Sequence, residues 1–220
     1  NKHINQNIMF LTFKTANIFT TIDTRINKSS SEQNGMIENE FWNMISLLEL
    51  VLAHNKLEEP QSIHNISYFT EQIYKEVQLN YPKLNISDEE IENVSKLATI
   101  HDIGKLFTPY EILNKKGKLT KDEMDIIKKH PLNGANMALK LPKCVKASKL
   151  VQYAYNICLY HHERYDGQGY PKGLIGDEIP LCAQVVGLAD AYDALISERP
   201  YKRKINHGEA VRMIVNGECG

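Results

Sequence analysis

From about residue 37 onward the apolar positions fall at three- and four-residue intervals, the pattern of helices that each bury one face. Phe41, Met44, Ile45, Leu48, Val51 and Leu52 form the first such stripe. Pro60 falls in the break after it. A second stripe of Ile63, Ile66, Phe69, Ile73 and Val77 predicts a helix from about Ser62 to Leu79. Ser87 followed by Glu90 reads as a capping box opening a helix to about Asp102. Thr120 followed by Glu123 reads as another, opening a helix to about Leu139. Further helices are expected from Val145 to His161 and from Leu181 to about Ser197, with a last one starting near His207 and cut off at Gly220. No stretch alternates with period two, so the fold class expected is all-α. Residues 1–36 break the pattern: they are polar, weakly periodic and end in the Ser- and Asn-rich run Asn27 to Gly35, which reads as a linker. The apolar run from Ile8 to Phe13 inside them suits a short strand or part of a helix equally. The division expected is therefore an appendage over 1–36 and one helical domain over 37–220.

Composition narrows the classes of function without choosing one. A chain of 220 residues is long enough for one good core. Its net charge of −1 provides no global field to recruit a DNA or RNA duplex or an anionic membrane, so any anionic ligand must be held by local charges. Cys144, Cys158, Cys182 and Cys219 are scattered with no C-x-x-C pair, which suits reduced, buried thiols in a cytoplasmic protein better than a zinc cluster or a disulfide framework. No apolar run approaches the roughly 20 residues that span a bilayer. Ile8 to Phe13 is too short for a signal peptide, and Asn1 is not an initiator Met, so the chain reads as a piece of something longer.

Five of the eight histidines fall into one candidate constellation. His161 and His162 are adjacent at the end of an expected helix and run into Glu163-Arg164-Tyr165-Asp166-Gly167-Gln168-Gly169-Tyr170-Pro171. Neutral imidazole is the commonest ligand of first-row metals, and an adjacent pair suits such a site. His101-Asp102 supplies a His-carboxylate pair at another helix end, where the small carboxylate can bridge two cations. His64 and His130 add single imidazoles on separate helices. Asp190 lies in an apolar helical stretch, where burial without a partner would be costly and a cation would relieve it. Each residue alone has an ordinary structural explanation as a cap, a core or a surface group. Together they require several coincidences on separate helices.

These residues, with Lys105, His130-Pro131, Gly169-Tyr170-Pro171 and the run Ala194 to Lys202, resemble the HD-GYP family of bacterial phosphodiesterases within the HD phosphohydrolase superfamily. The likeness runs in order over about residues 40–215. It implies an HD-domain helical bundle carrying a dinuclear centre. His64, His101, Asp102 and Asp190 would hold one divalent ion, and His130, His161 and His162 the other, with Asp102 bridging. Mixed imidazole and carboxylate ligation suits iron or manganese better than a thiolate-preferring metal. The activity implied is cleavage of cyclic di-GMP to linear pGpG and onward to GMP by a hydroxide generated between the two ions. Lys105 is similar to the lysine that contacts the scissile phosphate, Gly169 and Tyr170 to the substrate-side loop, and Arg199 and Lys202 to a basic pair that clamps phosphate or guanine. The alternatives are an HD hydrolase of another cyclic nucleotide and a non-catalytic binding or interaction module.

Three departures accompany the resemblance. Some family members hold a third ion through a Glu four residues before the first ligand histidine, and that position here is Pro60, which argues for two ions. The first motif, His-x-x-Arg-Val in the family, here reads His64-Asn65-Ile66-Ser67-Tyr68. The chain also stops at Gly220, short of the family's closing segment, and reads as truncated there. Candidate partners are GGDEF-type or sensor domains and a second copy of the chain, with residues 1–36 as the regulatory or dimerising remnant.

Overall fold

The computed structural model describes residues 32–140, 149–197 and 204–219. Within them the chain is helical: α1 (Glu32–His54), α2 (Pro60–Asn80), α3 (Asp88–Ala98), α4 (Tyr110–Leu113), α5 (Lys121–Ile127), α6 (His130–Ala138), α7 (Lys149–Tyr160), α8 (Leu181–Ile196) and α9 (His207–Val215). Among the described residues the only β pairing is an isolated bridge between Asp166 and Ile175. The all-α expectation is met. Helix α1 begins at Glu32, inside the stretch read as linker, while Ile8 to Phe13 and Cys144 lie outside the described residues.

Local chemistry explains most boundaries. All six apolar positions of the α1 stripe are buried. Pro60 is not in a break but opens α2, where its missing N–H would have had no helical partner. Ser87 caps α3 by accepting from Glu90 N at 3.1 Å, worth about 1 kcal/mol. The reciprocal half of that box is missing because the Glu90 carboxylate accepts from the Tyr74 hydroxyl instead, at 2.7 Å, and so joins α3 to α2. The box at Thr120 and Glu123 is complete. The single helix expected to run on to Leu139 is broken into α5 and α6 at Lys128-Lys129. Pro131 is the cause: it has no N–H to give the Ile127 carbonyl and disfavours helical geometry in the residue before it. That carbonyl accepts from His130 Nδ1 at 2.8 Å.

Helices α3 and α7 pack together at the centre, with α2 against α3, α6 against α7, and α8 lying across both α2 and α7. Tyr74, Val94, Leu97, Ile157, Leu159 and Val186 are fully buried between them, and each aliphatic side chain contributes about 1.5–3 kcal/mol. A 3₁₀ turn, Ile103–Phe107, leaves the end of α3 and lies against α6. Gly104 makes that contact possible, because a Cβ there would come within 1.9 Å of the His130 carbonyl oxygen. The end of α3, the start of α6 and the end of α7 are thereby drawn to one place.

Candidate metal centre

At that place three imidazoles do the same thing. Each reaches back to a backbone carbonyl three or four residues earlier. His101 Nδ1 donates to Ala98 O at 2.8 Å, His130 Nδ1 to Ile127 O at 2.8 Å, and His161 Nδ1 to Ile157 O at 2.9 Å. A carbonyl can only accept, so each Nδ1 carries a proton, and in the neutral ring each Nε2 presents a lone pair. The three Nε2 atoms converge on Asp102. His130 Nε2 is 2.9 Å from Asp102 Oδ1, His161 Nε2 is 3.7 Å from the same oxygen, and His101 Nε2 is 3.3 Å from Oδ2. The His130 and His161 Nε2 atoms lie 3.3 Å apart.

Two buried atoms of this cluster are left wanting. Asp102 is 4% exposed, and both His101 Nε2 and Asp102 Oδ1 are buried without a hydrogen-bond partner, a cost that a bound cation would relieve. The donors form two groups that could each hold a divalent ion. One comprises Asp102, His130, His161 and His162; the other comprises Glu58, His101 and Asp102. Asp102 belongs to both. The residues present therefore fit metal ions.

The electrostatics divide along the same line. Burial lowers the pKa values of His161 and His162, aided by their imidazole neighbours, so both stay neutral. Burial also opposes charge on His101, but the carboxylates of Asp102, Asp190 and Glu58 outweigh it and lift that imidazole to about 9. Asp102 is pushed up by burial and pulled down further by Lys105 and His101, so it stays ionised. Burial raises Glu58 above the usual carboxylate range. The Lys105 ammonium sits against Asp102 and donates to Glu58 Oε1 at 2.9 Å.

The structure sorts the residues singled out in the sequence. It brings His101, Asp102, His130, His161 and His162 together, with Lys105 beside them and Asp190 Oδ1 3.9 Å from His101 Nε2. It does not bring His64, which is exposed on the first turns of α2 and belongs to neither group. Glu58, in the connection between α1 and α2, stands beside His101 and Asp102 instead. The residue four places after Glu58 is Ser62, whose hydroxyl donates 2.7 Å to Asp193 Oδ2 while Asn65 donates to Oδ1. Glu58 was missed in the sequence, where the acidic pair Glu58-Glu59 was the available signal. Arg199 and Lys202 lie outside the described residues.

The segment after His162 folds back over the metal-facing rings. Tyr170 N donates to His162 O at 3.1 Å, and the Tyr170 ring stacks on the His162 ring with centroids 4.7 Å apart. Burial raises the Tyr170 phenol, so it remains protonated. Gly169 is required by proximity: a Cβ there would lie 2.3 Å from Arg164 N. The buried Glu163 carboxylate fastens the far side of the loop, accepting from Lys172 N at 2.6 Å and Leu174 N at 2.9 Å. A cavity of about 340 Å³ opens beside these rings, walled by His162, Arg164, Gly187, Asp190, Ala194 and Ile214.

A helical bundle that gathers imidazoles and an aspartate common to two donor groups is a protein with the donors to hold metal ions. The chain matches the HD domain over residues 49–218 and belongs to that family. It is 43% identical over 136 residues to the cyclic di-GMP phosphodiesterase response regulator RpfG of Xanthomonas campestris pv. campestris, covering 62% of this chain and 35% of that one. It is 44% identical over 130 residues to the cyclic di-GMP phosphodiesterase PA4108 of Pseudomonas aeruginosa, covering 59% of this chain and 30% of that one. The chain thus spans about a third of the length of these curated relatives. Its fold is similar to Bd1817, an HDG"Y"P protein from Bdellovibrio bacteriovorus, with a TM-score of 0.52 at 20% identity over 90% of this chain and 62% of that one. No described helix is long and apolar enough to cross a membrane.

Proposed function

We propose that the chain is a cyclic di-GMP phosphodiesterase that opens one phosphodiester of the ring to give linear pGpG, using two iron or manganese ions. The observation that carries this reading is the convergence of three imidazole Nε2 atoms on one buried, ionised aspartate, with Lys105 three residues along the chain. His130, His161 and His162 would hold one ion; Glu58, His101 and Asp190 the other; Asp102 both. When bound, such a pair supplies Lewis acidity to the phosphoryl oxygens and a water acidic enough to attack at neutral pH.

The side chains supply the rest. Lys105 keeps its proton, because Asp102 and Glu58 outweigh the cost of burial, and its point charge stabilises the anion that develops on the phosphate. Tyr170, stacked on His162 and still protonated, offers a hydrogen-bond donor and a flat face to the substrate. Glu163 keeps that loop in register with the imidazoles. Arg199 and Lys202 are assigned to the outer clamp on phosphate or guanine. The names of the relatives support the choice of nucleotide.

The test is turnover of cyclic di-GMP by anaerobically iron-loaded or manganese-loaded protein, followed by separation of pGpG from GMP. Metal-replete protein that leaves the ring intact refutes the reading. Strong preference for another cyclic dinucleotide in a substrate panel would keep the chemistry and change the specificity.

A further inference from the structure

A cyclic dinucleotide has two phosphates on opposite sides of one macrocycle. Under the proposed function the reacting phosphate is assigned to the histidine–aspartate cluster and Lys105. Its twin carries a full negative charge that cations at the rim would meet, Arg199 and Lys202 among them by the assignment above.

Lys128 is an exposed cation at the rim of the site. It lies in the break between α5 and α6 that Pro131 imposes, two residues before His130, so its backbone is fixed relative to a metal-facing imidazole. Its side chain is exposed, and its ammonium sits over the Tyr170 ring, 5.2 Å from the centroid. The same ring stacks on His162. Lys128, Tyr170 and His162 therefore form one continuous contact from the rim to the metal-facing rings. Among the described residues, Lys128 has no carboxylate within ion-pair distance. Lys105 differs in every respect: it is largely buried, and both its partners are carboxylates of the centre. One lysine is committed to the inside of the site. The other is held at its rim by a weak cation–π contact from which an anion can draw it.

We propose that Lys128 binds the non-reacting phosphate of the cyclic dinucleotide and makes the site read a substrate with two phosphates. This rests on the reading of the chain as a cyclic dinucleotide phosphodiesterase. The role is one of binding, since Lys128 does not touch the reacting atoms.

The experiment compares wild type, Lys128→Ala and Lys128→Arg, all metal-loaded, on cyclic di-GMP and on bis(p-nitrophenyl) phosphate, which has a single phosphate. Expected is a rise in KM for cyclic di-GMP of roughly tenfold in Lys128→Ala, the scale of one hydrogen bond to a charged group. Its kcat should stay within about twofold of wild type, and Lys128→Arg should recover most of the loss. Turnover of the single-phosphate ester should be the same in all three, and the salt dependence of KM for cyclic di-GMP should be shallower in Lys128→Ala. Equal losses on both substrates, or an unchanged KM for cyclic di-GMP, overturns the proposal while leaving the function intact. Wild type that cleaves the single-phosphate ester but no cyclic dinucleotide overturns the functional reading itself, and this proposal with it.

Discussion

The two halves of the centre share Asp102 and little else. On one side stand His130, His161 and His162, of which burial keeps His161 and His162 neutral; His130 and His161 are fixed by hydrogen bonds to backbone carbonyls. On the other stand Glu58 and Asp190 with His101, where like charges lie close and the Lys105 ammonium relieves them. The first half is a set of nitrogen donors, two of them pinned to the backbone. The second gathers carboxylates whose charge His101 and the Lys105 ammonium offset. We therefore expect the nitrogen-rich side to hold its ion tightly and the oxygen-rich side to exchange its ion more readily.

Five substitutions, in four tests, probe that contrast. Asp102→Ala has the largest expected effect: the loss of both ions and of turnover, read by elemental analysis of the purified protein. Retention of two ions would show that the oxygen is not shared. Next, Lys105→Ala should keep both ions and lower kcat by roughly two to three orders of magnitude, the scale of removing one preorganised donor to a developing anion. An unchanged kcat would leave this lysine with only the balancing of carboxylates. Third, Glu58→Ala should weaken manganese binding at one site by at least roughly tenfold, while His162→Ala removes the ion of the other. Calorimetric titrations of the two variants that lose the same binding event would dissolve the distinction between the halves. Last, His64→Ala should change neither metal content nor kcat/KM by more than about twofold. A large loss would return His64 to the site and displace Glu58 from it.

The nitrogen-rich half was also the more legible in the sequence, for the same physical reason. Its ligands sit at helix ends marked by local signals: His130 before Pro131, and His161-His162 ahead of a Gly-rich turn. The helical stripes likewise picked out the buried face of α1 without error. The other half depends on how α2 enters the fold. His64 has the right residue type in nearly the right place, yet helical phase turns it to solvent, while Ser62 and Asn65 face Asp193. Glu58 lies before the helix, where no periodicity can say which way a side chain points. Nor could Lys128 be found from sequence, since its place at the rim depends on the break at Pro131 and on the way the loop folds Tyr170 back onto His162.

Glu58 belongs to no helix. It sits on the short connection between α1 and α2, and Leu57 N, its neighbour, is hydrogen-bonded back to Leu52 O at 3.0 Å. The joint is a lever with a carboxylate at its fulcrum. Anything that twists α1 against α2 would move one oxygen donor relative to His101, and α1 also touches the 3₁₀ turn that follows Asp102 and lies against α6. Control exerted through α1 would thus bear on the oxygen-rich half through Glu58.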